Sequence, residues 1–199
     1  MSHSKIEKTN AARLLDRAKI VYELVSYRVD GEHLAATHVA EQLGEDIATV
    51  FKTLVLRGDR TGYFVCVVPG DHEVDLKAAA RVSGNKKADL IPMKELLPVT
   101  GYVRGGCSPI GMKKAFPTYV HASAEGLPFI YVSAGVRGLQ LRLAPGALIG
   151  YGLAAVFHIP PTAFAISGVP HLGLASVGQV ILLSILCALL SIIFCWAMH

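Results

Sequence analysis

Ala12, Leu15 and Ala18 recur at near-helical spacing after Thr9 and Asn10, with charged residues between them. The spacing predicts an amphipathic surface helix capped by Thr9 or Asn10 and running to about Lys19. Val21 to Val29 is rich in strand formers and carries Tyr22 and Tyr27, and Ala35 to Leu43 then reads as a short helix closed by Gly44. Val50 to Leu56 and Tyr63 to Val68 are β-branched and aromatic runs joined by a glycine-bounded connection, the pattern of an antiparallel hairpin. Further on, Asp75 to Val82 reads as a helix ended by Gly84, Met93 to Leu97 as a shorter helix, and Thr100 to Pro109 as strand plus glycine loop. Thr118 to Ala122, Leu127 to Ser133 and Leu139 to Leu143 supply short strands, and Ala144 to about Ile159 a closing helix weakened by Gly146, Gly150 and Gly152. Short strands punctuated by short helices predict an α/β domain of α+β character. Its sheet is mixed and curled, toward a barrel, with flanking helices and without repeating βαβ units.

The polarity of the chain changes abruptly after Arg142. All 19 Lys+Arg and all 15 Asp+Glu lie at or before it, so the hydrophobic excess that raises the whole chain to 52% is weighted toward an uncharged C-terminal tail. Residues 1–159 form the expected domain and residues 160–173 a Pro/Gly-rich connector. Residues 174–198 form a 25-residue apolar segment, a candidate transmembrane helix longer than the roughly 20 residues a bilayer requires. The net charge of +4 and pI near 8.9 belong to the charged part and favour an anionic partner, nucleic acid or membrane surface. Cys66, Cys107, Cys187 and Cys195 form no CxxC pair and no dense framework, so neither a zinc site nor a disulfide scaffold is indicated. The charged N-terminus lacks an apolar signal core, so the expected location is the cytoplasm.

Two features carry candidate chemistry. Lys52 falls on the same strand face as Val50, Leu54 and Leu56. One reading is a stem packed on that face with its ammonium in water; the other is a cation held in a pocket for an anionic or carbonyl oxygen. The second feature is the stretch Gly101 to Gly111, where four glycines, a proline and a serine fall within 11 residues. Such a loop serves either as a tight structural turn or as a backbone nest whose N–H groups approach a ligand. No GxxxxGK[ST] and no strand-to-helix GxGxxG is present. Cys107 lies inside the loop without an identifiable activating partner, and reads as a small buried hydrophobe. His33, His38, His72 and His121 lack metal-ligand spacing.

In three ordered segments the chain resembles the YbaK family of bacterial Cys-tRNA(Pro) deacylases, in the superfamily of the editing domain inserted in bacterial prolyl-tRNA synthetases. These are Phe51 to Leu54, Gly101 to Lys114, and Ile130 to Leu139 continuing to Pro145; Asp75 to Ala80 with Gly84 to Lys87 adds a fourth. The resemblance implies a pocket near the Lys52 strand, no metal and no organic cofactor. It implies ester hydrolysis in which the thiol of the mischarged cysteine attacks its own carbonyl while the protein positions the ester. Lys52 would act on the tRNA terminus or developing oxyanion. Gly106, with Gly105, would orient the carbonyl, and Tyr27, Thr53, Ser108 and Ser133 would bind the aminoacyl group or ribose. The sequence departs from the family at Ala147, where a carboxylate is common.

Mischarged tRNA is the expected partner, contacted through Lys77, Arg81, Lys86, Lys87, Lys113 and Lys114. Prolyl-tRNA synthetase is a second expected partner, and the apolar tail is expected to tether the domain to the inner face of the membrane. Two alternatives stay open: editing of another small product such as Ala-tRNA(Pro), and a non-catalytic aminoacyl-tRNA or RNA-binding module.

Overall fold

The computed structural model of the protein describes residues 7–29 and 36–156, within a unit that runs from Met1 to Ala163. His33, the end of the expected closing helix, the connector at 160–173 and the apolar segment at 174–198 lie outside the described residues. Among the described residues no helix is long and apolar enough to cross a membrane.

The hairpin expected from the two apolar runs is the framework of the fold. Strand β2 (Phe51–Gly58) pairs antiparallel with β3 (Gly62–Pro69) in a register from Phe51↔Pro69 to Gly58↔Gly62. Both faces are covered, which explains why Phe64 to Val68 reads as a continuous apolar run. On one face Phe51, Val55, Val65 and Val67 join the main core with Ala11, Ala12 and Leu15 of helix α1 (Asn10–Arg17). On the other, Leu56, Phe64, Cys66 and Val68 pack on Ala79 and Ala80 of a second helix. Burying a side chain such as Leu56 or Phe64 stabilises the fold by about 1.5–3 kcal/mol.

The remaining elements, in chain order, are β1 (Glu23–Ser26), α2 (Ala36–Leu43), α3 (Leu76–Val82), β4 (Ala88–Leu90), α4 (Met93–Thr100), β5 (Thr118–Val120), β6 (Ile130–Ser133), β7 (Leu139–Leu143) and α5 (Pro145–Val156). They form a four-stranded sheet of order β4-β2-β3-β5 and a three-stranded sheet of order β1-β7-β6. Pairing is antiparallel except between β3 and β5. A single parallel bridge, Val50 to Tyr131, joins the sheets. The expected curling toward a barrel therefore stops at two sheets, and the described strands do not close.

Local chemistry explains the boundaries. Thr9 caps α1, its hydroxyl accepting from the Ala12 N–H at 3.2 Å, and Asp75 caps α3 by accepting from Lys77 and Ala78. The Asn85 side chain accepts from the N–H groups of Arg60 and Thr61, both at 2.9 Å, so the Gly84 to Lys87 segment fastens the β2–β3 turn. The strand expected in Thr100 to Pro109 is absent. Instead α4 continues through Pro98 to Thr100, held by Thr100 Oγ1 donating to Leu96 O at 2.7 Å and by Gly101 N donating to Leu97 O at 2.9 Å. The following residues form an irregular loop because glycine and proline leave no continuous side-chain face to pair. Tyr102 staples this loop by donating its hydroxyl to Ile110 O at 2.6 Å.

Candidate active site

Strand β4 pairs with β2 only over Leu56, Arg57 and Gly58, so the first half of β2 has an edge that no strand covers. Ile91 N–H donates to Val55 O at 3.1 Å on that side. Strand alternation then places the backbone N–H and C=O of Thr53 along the same uncovered edge. A cavity of about 450 Å³ opens there, within the size range of small-molecule sites. Its wall combines β2, Tyr27 just after β1, α2, the glycine loop, α4 and the β6–β7 pair.

Lys52 stands half-buried in this wall, with its ammonium donating to Gly70 O at 3.1 Å. The backbone at Gly70 can reach it because the glycine has no side chain: an added Cβ would lie 2.3 Å from the Ala36 Cβ and 3.1 Å from Val50 O. The Lys52 charge also contributes to holding the Asp71 carboxyl below its usual value, after the larger effect of the His72 hydrogen bond. The ammonium is thus tethered to the backbone carbonyl of Gly70, which does not itself line the cavity, and is not simply extended into water.

Thr53 lines the cavity, and its Oγ1 is buried without a hydrogen-bond partner. Gln140, unmarked in the sequence, presents a second such atom, Oε1, in the same wall. Buried polar atoms without partners are rare in native proteins, so each of these two is open to a hydrogen bond from a water or a ligand. Tyr27, Gly105 and Ser133 line the cavity as well. Gly105 has φ 78°, a conformation that disfavours any side chain, and its N–H makes no hydrogen bond within the described residues. Ser133 Oγ accepts from Gly135 N at 3.3 Å, which leaves its hydroxyl proton to donate.

Gly106 and Ser108 stand apart from this group. The Gly106 N–H is spent on Val103 O at 3.0 Å, so it is not available to orient a carbonyl. The absence of a side chain at Gly106 serves packing: a Cβ there would meet Val136 and Arg137 backbone atoms at 3.2–3.3 Å. Ser108 is fully buried, and its hydroxyl accepts from Ile110 N at 3.2 Å, a role in shaping the loop. Neither residue lines the cavity. Ala147 packs against the main core and is not a lining residue either.

Cys107 lines the cavity, but burial pushes its thiol up to about 12, only partly opposed by Thr100. At neutral pH it is a protonated, weak nucleophile. Arg104 supplies an exposed guanidinium in the wall. The site can therefore offer cationic and N–H donors to an oxygen and unsatisfied oxygens to a donor, but holds no activated nucleophile among its described residues.

Comparison with known proteins identifies the family. The family model for the aminoacyl-tRNA editing domain matches residues 32–151. The chain is 49% identical over 143 residues to a protein of Enterococcus faecalis named "Putative Cys-tRNA(Pro)/Cys-tRNA(Cys) deacylase EbsC", covering 72% of this chain and 87% of that protein. It is 27% identical over 118 residues to the uncharacterized protein YwhH of Bacillus subtilis, covering 59% and 74% of the two. A crystal structure described as that of a putative trans-editing enzyme for prolyl tRNA synthetase shares the fold, with TM-score 0.62 at 22% identity over 73% of this chain and 94% of that one. The chain belongs to the aminoacyl-tRNA editing domain family.

Proposed function

We propose that this protein hydrolyses the ester of mischarged Cys-tRNA(Pro) in trans, using the thiol of the substrate's own cysteine. That it is an aminoacyl-tRNA deacylase follows from its family. The observation that supports this mechanism is a cavity lined by both Lys52 and Gly105, the latter with an unbonded N–H, beside a protein thiol that stays protonated. The relative from Enterococcus faecalis carries Cys-tRNA(Pro) and Cys-tRNA(Cys) in its name, which favours cysteinyl esters over Ala-tRNA(Pro).

In this mechanism the substrate sulfur attacks the ester carbonyl carbon, forming a C–S bond as the carbonyl oxygen gains charge. Lys52 and Gly105 stabilise that oxyanion. The C–O bond to the terminal ribose then breaks, the ribose oxygen takes up the proton that left the thiol, and water opens the cyclic thioester to free cysteine. Holding thiol and carbonyl together supplies the high effective concentration that intramolecular attack needs. Thr53, Ser133 and Tyr27 fix the aminoacyl group and ribose.

The exposed Lys77, Arg81, Lys86, Lys87, Lys113 and Lys114 provide the electrostatic contact with the tRNA body. A synthetase partner would add selectivity for that body. The reading places the domain in the cytoplasm, where charged tRNA is found, and assigns residues 174–198 to an anchor; membrane flotation of the full chain against a truncation after residue 159 tests the anchor. The substrate is tested by incubating the full chain with Cys-tRNA(Pro), Cys-tRNA(Cys), Ala-tRNA(Pro) and Pro-tRNA(Pro). Selective release of cysteine is expected, and preferential release of alanine or no release at all would refute the reading.

A further inference from the structure

Gln140 lies in β7, the central strand of its sheet, paired with Val25 of β1 on one side and Ser133 of β6 on the other. Its neighbours Leu139 and Leu141 enter the main core. Alternation along the strand turns Gln140 to the opposite face, where it joins the cavity wall at 6% exposure. There its Oε1 has no partner, although the position is nine-tenths buried. A buried carbonyl left without a donor destabilises the unliganded protein, so a binding role is the natural compensation.

The chemistry of the wall indicates which donor it receives. Lys52, Arg104 and the Gly105 N–H are donors suited to the oxygens of an ester and a phosphate. An aminoacyl ester also carries an α-ammonium, and none of the residues lining the cavity is Asp or Glu. Ser133 Oγ already accepts from Gly135. Thr53 Oγ1, the other buried oxygen without a partner, is a hydroxyl that can also donate, which leaves the acceptor-only Gln140 Oε1 as the oxygen best suited to a cation.

We propose that Gln140 is a specificity-determining residue whose side-chain carbonyl receives the α-ammonium of the bound aminoacyl group. The site then accepts aminoacyl esters with a free amino group and rejects N-acylated ones, which lose the charge and would press an acyl group into the wall. This rests on the deacylase reading of the same cavity.

The test is calorimetric titration of the full chain with a mimic of cysteinyl-adenosine in which an amide replaces the scissile ester, and with the N-acetyl form of that mimic. Wild type should bind the free-ammonium mimic roughly 10–100-fold more tightly, the range for a hydrogen bond to a charged group. Gln140→Met should lose most of that preference while melting at the same temperature as wild type or above it, since the unpartnered carbonyl is gone and the bulk remains. Gln140→Glu should keep the preference. Equal affinity of wild type for the two mimics would overturn the assignment. So would a Gln140→Met variant that keeps the preference, or a lowered melting temperature with the preference intact. Because binding is the readout, a wild type that shows the preference but releases no cysteine from Cys-tRNA(Pro) would refute the deacylase reading and leave this one standing.

Discussion

Lys52→Met removes one positioned charge and leaves most of the side chain's bulk, so it separates the ammonium's action from the stem's packing. The Nζ lies 3.1 Å from the carbonyl oxygen that directs it. An oxyanion formed at about 3–4 Å from the same ammonium, at an effective dielectric near 20, is attracted by roughly 4–5.5 kcal/mol. Partial replacement of the ammonium by water reduces the net loss to about 2.7–4 kcal/mol, or roughly 10²–10³ in rate, as seen when single oxyanion donors are removed. The fold should lose only the bond to Gly70, about 1.5–3 kcal/mol for a hydrogen bond to a charged group, a melting shift of several degrees. The assay is single-turnover release of labelled cysteine from Cys-tRNA(Pro), with melting measured in parallel. A folded Lys52→Met enzyme that turns over within a few-fold of wild type would refute the role given to the charge.

Cys107→Ser should leave turnover within a few-fold, because a thiol near 12 is ionised to roughly one part in 10⁴ or less at neutral pH; a folded but inactive variant would require covalent catalysis by the protein. Gly106→Ala should lower stability by about 1–3 kcal/mol through its close approach to the Val136 and Arg137 backbone, with the KM for Cys-tRNA(Pro) little changed; a raised KM at unchanged stability would restore Gly106 to the binding site. Asp59 and Asp75 carboxyls are held below their usual value first by the backbone N–H groups of Lys87 and Ala78 respectively. Their contribution is therefore present above about pH 4 and lost as pH falls through their folded values. Asp59→Asn with Asp75→Asn should make the melting temperature less sensitive to pH between about 5 and 3, and an unchanged slope would contradict the assignment.

Much of this organisation was legible in the sequence because it depends on local pattern. Lys52 was visible as a charge set into an otherwise apolar alternation, and the hairpin that carries it follows from two strand-forming runs and a glycine-bounded turn. Which glycine faces the cavity was not legible, since Gly105 and Gly106 differ only in what the segment around Val136 and Arg137 does nearby. Gln140 was hidden for a similar reason: Gln140 and Arg142 alternate with leucines as on a solvent-facing strand, and only packing by distant segments turns that face into a cavity wall. Strand β4 is three residues long and exists through its pairing with β2. Helix α4 outlasts the boundary that Pro98 suggests because Thr100 and Gly101 secure its last turn from beyond.

Whether the substrate supplies its own nucleophile is decided by single-turnover hydrolysis of the same proline tRNA charged with cysteine and with serine. The two esters differ by one atom, so binding and positioning are nearly matched while the attacking thiol is lost. Cysteine should be released and serine released more slowly by about 10² or more, the loss expected when an oriented intramolecular nucleophile is removed. Equal rates on the two esters would contradict attack by the substrate's own thiol.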